Sequence, residues 1–383
     1  MSAVNPFAEA AEAIIEAGGD ALKACYQCGC CTATCPWNLV RSFLVRRLIH
    51  EAQIGLLVEL GAEDVWLCAT CGACVERCPR GVEIIDIFRA ARRIGAQFGA
   101  FPKALRPIMT DCKNMGNPWS EARDKRADWA KDLGVKILSP GNGAEVLYFP
   151  CCTPAYDRKA RRIAIATVNI LKKAGVDFGI LGVEESCCGE SIRKLGKEDL
   201  FTSLAQANIG AFKKHGVKKI VVSSPHCYHT FVKEYPALGG EFEVTHFTQF
   251  VHQLIGEGRI KPSKPYEKKV AYHDPCYLGR HNKIYEEPRK ALTSVPGLEL
   301  LELPDARQDS ICCGGGGGRI WMETKKEERF SDLRIDQALE VGAQVLAISC
   351  PYCMLNFDDS LLTMGKEGVL EIRDIAEIVN EAI

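Results

Sequence analysis

The chain has 383 residues, and its 48 basic and 49 acidic side chains leave a net charge of −1. This balance provides no basic surface for nucleic acid, which excludes DNA or RNA as the main partner. Mean hydropathy is −0.06, and no apolar stretch approaches the roughly 18–20 residues that cross a bilayer. We therefore predict no transmembrane segment within this sequence.

The 20 cysteines stand in tight clusters along the chain. Acidic residues at Glu9, Glu12 and Glu16 argue against a secretory signal before Lys23. We therefore expect a cytoplasmic protein that reaches a membrane only through a partner. Because disulfides are rare in that compartment, and a chain of this size does not need them, the clusters indicate metal binding.

In chain order, helical composition over residues 8–23 and 41–61 surrounds the first cysteine runs. Residues 101–143, rich in charge, Trp and turn residues, are predicted to form a linker that packs on its neighbours. From residue 144 onward, short apolar runs alternate with helical patterns, for example at 158–174 and 200–214. The predicted divisions are 1–100, the linker 101–143, and two domains at 144–262 and 263–383.

The apolar runs predict three strands in each of these two domains. They are Val146–Phe149, Phe178–Leu181 and Lys219–Val222, then Val270–Tyr272, Leu298–Leu303 and Val345–Ile348. Strands that alternate with helices predict a mostly parallel sheet in each domain. Cysteines follow the strands in both, and the pairs Cys151 and Cys276, Cys187 and Cys312, and Cys227 and Cys353 are 125, 125 and 126 residues apart. This constant offset indicates an internal duplication.

The N-terminal cysteines form two copies of the motif C-x2-C-x2-C-x3-C-P, which is typical of ferredoxins with two [4Fe–4S] clusters. In such a module the fourth cysteine of each run binds the cluster of the other run. One predicted ligand set is Cys25, Cys28, Cys31 and Cys78, and the other is Cys68, Cys71, Cys74 and Cys35. Cys30 is left over. A pair of zinc sites is the weaker alternative, since zinc has no use for the third cysteine or for the C-P ending.

The duplicated domains carry a second kind of cysteine pattern. The later copy has Cys276, Cys312, Cys313, Cys350 and Cys353, which is one thiolate more than a cubane needs. The earlier copy has Cys151, Cys187, Cys188 and Cys227. There Ser224 stands in the place of Cys350, and Cys152 is an extra neighbour. We expect Cys112, which stands alone, to be a buried apolar residue.

Two further features flank these cysteines. The glycine run Gly314–Gly318 lacks the lysine of a phosphate-binding loop, and we expect it to let backbone approach a cluster and offer N–H groups to its sulfurs. The histidines are interpreted either as satisfied residues at strand ends or as proton donors to a thiolate product. They are His226, His229, His273 and His281.

The sequence segments around the second cysteine pattern resemble the CCG domains of heterodisulfide reductase. The resemblance is greatest to its D-type catalytic polypeptide, which is a ferredoxin module fused to two such domains. The segments are His273–Arg280, Cys312-Cys313-Gly314 and Cys350-Pro351-Tyr352-Cys353. The resemblance implies a multidomain α+β fold. It also implies a catalytic noncubane [4Fe–4S] cluster on the five cysteines of the second copy. For the first copy an ordinary [4Fe–4S] cluster, a noncubane cluster with a substitute ligand, and no metal all stay open.

The resemblance further implies an oxidoreductase subunit that carries electrons through the ferredoxin clusters to the second CCG domain, where a disulfide is reduced or electrons pass on. No flavin or nicotinamide fingerprint occurs in the sequence, so a partner is expected. This would be a flavoprotein, such as a heterodisulfide reductase A-like subunit, or a membrane cytochrome. The alternative is the iron–sulfur subunit of a glycolate, lactate or glycerol-3-phosphate dehydrogenase, with electrons passing from an FAD-linked subunit towards quinone.

Overall fold

A computed structural model describes residues 6–57 and 63–383, and they form two compact units. The first unit comprises the described parts of Met1–Arg106 together with Ser191–Leu200 and Gly314–Phe330. The second comprises Pro107–Glu190, Phe201–Cys313 and Ser331–Ile383. Each unit is thus built from segments far apart in sequence. The domain boundaries drawn from the sequence remain predictions.

The first unit is helical. Its α-helices are Ala8–Ile14, Cys30–Ala33, Val45–Gln53, Ala73–Glu76 and Ile84–Gln97. Short 3-10 turns lie at Asp20–Ala24, Pro36–Leu39, Asp64–Leu67, Lys103–Leu105, Arg319–Trp321 and Lys326–Glu328. The helix predicted over residues 8–23 is α-helical only to Ile14, because Gly18 takes a φ of 99° and breaks it. Of the helix predicted over 41–61, residues 58–61 lie outside the described residues.

The two inserted segments of the first unit pack against its ferredoxin-like part. Trp37 meets Phe330 edge-on with ring centroids 5.1 Å apart, and the guanidinium of Arg319 lies 5.4 Å from the centroid of Trp37. Gly318 lies so close to Leu195 that a side chain there would overlap it, and Leu105 would be in contact with that side chain. A segment of the later CCG domain therefore helps to form the core of this unit.

The second unit contains two sheets in which all pairings between strands are parallel. In the first sheet the order is β1-β3-β2-β4-β5 (Lys136–Ile137, Phe178–Ile180, Val146–Phe149, Lys219–Val222 and Glu243–His246). In the second sheet it is β7-β6-β8-β9 (Glu299–Leu301, Lys269–Tyr272, Val345–Ile348 and Glu371–Asp374). The last four strands of the first sheet and the four of the second follow the same order. This confirms the predicted α+β class and agrees with the duplication.

Helices cover these sheets, as is usual for parallel sheets. The longer ones are Arg161–Lys173, Glu198–Lys214, Phe247–Gly256, Glu286–Thr293, Phe330–Glu340, Pro351–Met364 and Ile375–Ala382, and the shorter ones are Cys152–Tyr156 and Pro225–His229. The short helix Glu190–Lys194 lies mostly in a segment of the first unit. The two repeats pack together within this unit. Arg162 lies on the first long helix of the first repeat, and its Nε lies 3.1 Å from a carboxylate oxygen of Glu377 on the last helix of the second.

The stretch predicted as a linker, residues 101–143, has regular structure of its own. It carries the helix Arg106–Met115, a 3-10 stretch at Arg123–Leu133, and β1. Strand β1 pairs with β3 through Lys136 and Gly179, and the amide of Leu138 donates to the carbonyl of Ile180 over 2.8 Å. The later part of this stretch is therefore an edge of the first CCG sheet. Within the residues described, no helix is both long and apolar enough to span a bilayer.

Candidate metal centres

Five cysteines of the first unit line one cavity. Four of them, Cys25, Cys28, Cys31 and Cys78, are the first ligand set predicted from the motif spacing, and the fifth is Cys30. Apolar side chains of Ile49, Val82 and Ile84 complete the wall, with Arg46 and Arg80 beside them. The fourth cysteine of the second run thus joins the first three of the first run. The thiols of this predicted set therefore line one cavity.

A second cavity is lined by Cys35, Cys68, Cys71 and Cys74, the other predicted set. Its remaining wall is apolar and includes Trp37, Phe43, Val45, Ile85 and Phe88. The crossed arrangement of the fourth cysteines therefore appears in both cavities. Their roles as ligands remain a prediction.

The two cysteine loops have the same backbone conformation. Gln27 and Thr70, each just before the second cysteine of its run, have φ values of 67° and 50°. Gly29 and Gly72, each just after it, are left-handed and precede a one-turn helix. The amide of Thr70 lies 3.4 Å from Sγ of Cys68, and that of Val82 lies 3.3 Å from Sγ of Cys78. Such N–H groups stabilise cluster sulfurs and tune the reduction potential.

Burial makes these thiols poor anions on their own. It raises the pKa of Cys31 to about 11, and burial together with nearby cysteines raises the pKa of Cys74 well above its usual value. Ligation requires thiolates, which iron stabilises by its positive charge. A set of thiols around a cavity, some of which become anions only with a cation beside them, therefore fits an iron–sulfur cluster.

One buried arginine connects the second loop to both inserted segments. Arg92 is 1% exposed and donates to four carbonyl groups. Its acceptors, at 2.7–3.1 Å, are the carbonyl oxygens of Val65, Cys68, Lys194 and Gly317. Nothing in the sequence marked Arg92, since its partners are scattered over more than 250 residues. Gly316 and Gly317 also lie against the carbonyls of Ala69 and Cys68, which no side chain would allow.

In the second CCG domain all five predicted cysteines come together at the carboxyl ends of the strands, the usual place for sites in such sheets. Sγ of Cys276 lies 3.8 Å from that of Cys312, and Sγ of Cys353 lies 3.3 Å from that of Cys313. Cys350 is hydrogen-bonded to Cys353. All five are buried, at 1–6% exposure. Five thiols in one dry site match the set predicted from the motif.

Two histidines of the second unit contact this set. His273 Nε2 lies 3.5 Å from Sγ of Cys353, while its Nδ1 accepts from Arg334 Nε over 3.3 Å. Burial and the nearby Arg334 lower the pKa of His273 well below its usual value, so the ring is neutral and carries its proton on Nε2. That proton points to Cys353.

The second histidine comes from the other repeat. His226 is hydrogen-bonded to Cys350, and its Nδ1 lies 3.3 Å from Glu190. Burial opposes its positive charge, but the charges of Glu190 and Cys350 raise the pKa of His226 well above its usual value. Burial likewise opposes the thiolate of Cys350, yet hydrogen bonds from Cys353 and His226 lower its pKa to about 6.

The four predicted cysteines of the first CCG domain also come together. Cys187 is hydrogen-bonded to Cys188, Cys188 to Cys227, and Cys227 to Cys151. Two cysteines outside the predicted set join them, because Cys187 is also hydrogen-bonded to Cys152 and to Cys112. Cys112 is buried, as expected, but lies beside other thiols. Among the residues described, no three His, Cys, Asp or Glu side chains are arranged to hold a single metal ion.

Comparison with known proteins agrees with these sites. Residues 21–82 match the model of a 4Fe-4S dicluster domain, and residues 146–232 and 270–358 each match the model of the CCG cysteine-rich domain. The D-type polypeptide of the dihydromethanophenazine:CoB–CoM heterodisulfide reductase of Methanosarcina barkeri is 33% identical over 79% of this chain and 74% of its own length. The chain belongs to this D-type heterodisulfide reductase family. Its domains indicate [4Fe–4S] clusters, as in that family.

Two relatives are longer. The "EtfAB:quinone oxidoreductase" of Syntrophomonas wolfei is 37% identical over 74% of this chain, and the "Probable iron-sulfur-binding oxidoreductase FadF" of Bacillus subtilis is 37% identical over 72%. The aligned part spans only 42% and 40% of these two proteins. The relatives of this chain therefore include proteins that carry further segments.

Proposed function

We propose that this chain is the iron–sulfur electron-transfer and catalytic subunit of a heterodisulfide-reductase-like oxidoreductase complex. The observation that supports this best is the convergence of Cys276, Cys312, Cys313, Cys350 and Cys353 in one buried site of the second CCG domain. When bound, [4Fe–4S] clusters would supply one-electron carriage, and at the five-thiolate site the binding of a sulfur substrate.

The thiols of the ferredoxin-like unit are grouped so that they could hold two clusters. In the ferredoxin-like unit the two sets of four would hold one cubane each. Around the second set the wall of aromatic and aliphatic side chains keeps the surroundings of low polarity, which affects the reduction potential.

The histidines at the five-cysteine site are placed to handle protons. Reductive cleavage of a disulfide takes two electrons and two protons and yields two thiols. His226 is charged and adjacent to Cys350, with Glu190 behind it, so it can donate a proton at its ring nitrogen. His273 holds its proton towards Cys353 and orients that sulfur.

The complex would supply what the chain lacks. A flavoprotein subunit or a membrane cytochrome would deliver the electrons, and the chain would be cytoplasmic, held at a membrane through that partner. The relatives from Methanosarcina are named as reductases of the CoB–CoM heterodisulfide. Their names therefore support a disulfide as the electron acceptor.

The alternative is electron flow from a flavin subunit towards quinone, as expected of an iron–sulfur subunit in a hydroxy-acid or glycerol-3-phosphate dehydrogenase. One observation favours it: a relative at 37% identity is named for the pair EtfAB and quinone. In that case the second CCG domain would pass electrons on, without cleaving a sulfur–sulfur bond.

An artificial donor separates the two directions. The anaerobically purified chain is supplied with reduced methyl viologen, and its oxidation is followed with CoB–CoM heterodisulfide or with menadione as the acceptor. Two viologen radicals should be consumed per disulfide, with two thiols formed. Activity with the disulfide that is lost in Cys350→Ala and retained in Cys30→Ala supports the first function. Viologen oxidation with menadione alone, at a rate above that of the direct reaction between the two reagents, supports the alternative, and a loaded chain that is inactive with both acceptors contradicts both.

A further inference from the structure

The first CCG domain is one thiol short when its motif is read by spacing, because Ser224 replaces the first cysteine of the final pair. Two of its cysteines stand side by side after β2, Cys151 and Cys152, and the spacing of 125 residues pairs Cys276 with the former. Aligning the two domains by their contacts, and not by the number of residues between cysteines, gives a different pairing.

A tyrosine–serine pair marks the same point in both sheets. Tyr148 on β2 is hydrogen-bonded to Ser223 over 2.7 Å, and Tyr272 on β6 to Ser349 over 2.8 Å. The residue four positions after each tyrosine is Cys152 in the first sheet and Cys276 in the second. The counterpart of Cys276 is therefore Cys152.

The contacts of these two cysteines agree with this register. Cys276 lies 3.8 Å from Cys312, the first member of the vicinal pair, and Cys152 is hydrogen-bonded to Cys187, the first member of the other pair. Cys152 also accepts a hydrogen bond from Arg126 Nη1 over 2.9 Å. The thiol of Cys152 is thus held beside the first member of the vicinal pair, as that of Cys276 is.

In this register Cys151 aligns with Pro275. Its thiol, however, makes the contact that a different cysteine makes in the second domain. In the second domain Cys353 is hydrogen-bonded to Cys313 and to Cys350. In the first domain its counterpart Cys227 is hydrogen-bonded to Cys188 and to Cys151. The thiol of Cys151 thus makes the contact that Cys350 makes in the other copy.

The backbone of Cys151 is strained in a way that supports this role. Its φ of 80° and ψ of 157° lie in a region populated almost only by glycine. Such conformations are costly, persist only where the surrounding structure fixes them, and cluster at functional sites. In this conformation Cys151 and Cys152 both have their thiols among the other cysteines of the domain.

We infer that the first CCG domain holds a complete set of five thiolates, in which Cys152 is the counterpart of Cys276 and Cys151 supplies the sulfur lost at Ser224. The set is Cys151, Cys152, Cys187, Cys188 and Cys227. The inference rests on the proposed iron–sulfur function and gives both domains the same kind of site. Cys112 contacts Cys187 from the helix Arg106–Met115, and the second domain has no matching cysteine in its motif, so Cys112 is a neighbour and not a ligand.

The test is the iron and acid-labile sulfide content of the full chain, purified anaerobically. Cys151→Gly removes the thiol and relieves the backbone strain, so a loss of metal cannot be ascribed to misfolding of this turn. It should lower the iron content by about four atoms per chain, one cluster. Adding Ser224→Cys to Cys151→Gly restores the cysteine pattern of the second domain. This double variant should regain the lost iron and the Mössbauer signal of that cluster.

Cys112→Ala is the matched control, because Cys112 is also buried and contacts the same Cys187. It should retain all of the iron, whereas Cys152→Ala should lose about four atoms. The inference is overturned if Cys151→Gly keeps the iron of the wild type, if the double variant is no better loaded than Cys151→Gly, or if Cys112→Ala loses a cluster. A wild-type chain that folds without iron would instead overturn the proposed function.

Discussion

Gly317 lies so close to the carbonyl oxygen of Cys68 that a methyl group on its α-carbon would overlap that oxygen. Its φ of 60° is also left-handed. A residue of the later CCG motif's glycine run thus fits against the backbone that carries a predicted cluster ligand. The glycine run was expected to let backbone approach a cluster, and it approaches the loop that holds one cysteine of the second cavity.

Replacing this glycine should loosen that loop. In Gly317→Ala the left-handed backbone costs about 1–2 kcal/mol, and overpacking against Cys68 adds about 1–3 kcal/mol. We expect a lower Tm and faster release of iron from the ferredoxin-like unit, followed by absorbance during anaerobic heating. Gly99→Ala is the control, because Gly99 also has a left-handed φ, of 76°, but has no atom within 4 Å of the new methyl group. Equal losses in the two variants would contradict the role of the contact.

The motif distinguishes two exposed cysteines that line the same cavity, Cys28 and Cys30. Cys28→Ala should remove one cluster, with about four irons lost per chain, because a cubane needs its fourth thiolate. Cys30→Ala should retain the full iron content, as the leftover cysteine. The measurement is iron per chain together with the EPR spectrum of the reduced protein. Loss of a cluster in Cys30→Ala would show that the spacing misassigns the ligands.

His246 gives stability in a definite pH range. Its Nδ1 caps the helix Phe247–Gly256 by accepting from the amide of Thr248, and burial lowers its pKa to about 3. Unfolded histidine has a pKa of about 6.5, so below that pH the unfolded chain takes up a proton that the folded chain refuses. Stability must therefore fall as the pH falls from about 6.5 towards 3.

Between pH 7.5 and 5.5 this linkage costs about 1.4 kcal/mol. His246→Asn keeps a capping side chain but cannot titrate, so its urea midpoint should fall less over this range than that of the wild type. His50→Asn, at an exposed position, should behave as the wild type does. If the urea midpoint of His246→Asn fell with pH as steeply as that of the wild type, His246 could not be a neutral, capping residue.

Arg126 and Glu185 form a buried ion pair at 3.1 Å, with side chains 1% and 2% exposed. Arg126→Met leaves the carboxylate without its partner and should cost about 3–5 kcal/mol. The double variant Arg126→Met with Glu185→Gln should be more stable than the single variant, since the unpaired charge is gone. Lys131→Met, which breaks an exposed pair with Asp128 in the same 3-10 stretch, should cost less than about 1 kcal/mol. Urea unfolding checks all three, and a double variant less stable than Arg126→Met would contradict this account.

Much of the fold could be predicted from local patterns. Strands β2, β4 and β8 are continuous buried runs, and the predicted bounds agree with those of the structure. Strands β5 and β9 were missed because Glu243–His246 and Glu371–Asp374 are largely polar and only partly buried. Strand β1 has only two residues, one of them lysine. Edge strands of this kind have no apolar signal to distinguish them from loops.

The ligand sets of the ferredoxin motifs could be predicted from the sequence because one cluster constrains cysteines that are only a few residues apart. The other residues around the sites could not be predicted, since they depend on contacts between distant parts of the chain. His226, which is paired with Glu190, meets Cys350 only through the packing of the two repeats in one unit. Only the strand register shows that Cys152, and not Cys151, corresponds to Cys276. An offset of 125 residues counted along the sequence gives a pairing that is wrong by one residue.

The hydrogen bonds of Arg92 also bear on the order in which the protein matures. On the ribosome, N-terminal segments fold first, but two of the four acceptors of Arg92 are carbonyls of Lys194 and Gly317, which are synthesised much later. Until then the nascent loop with Cys68 lacks its final partners. Loading of iron at that loop should consequently await the release of a nearly finished polypeptide, and a truncated product ending before residue 314 should emerge with this centre empty.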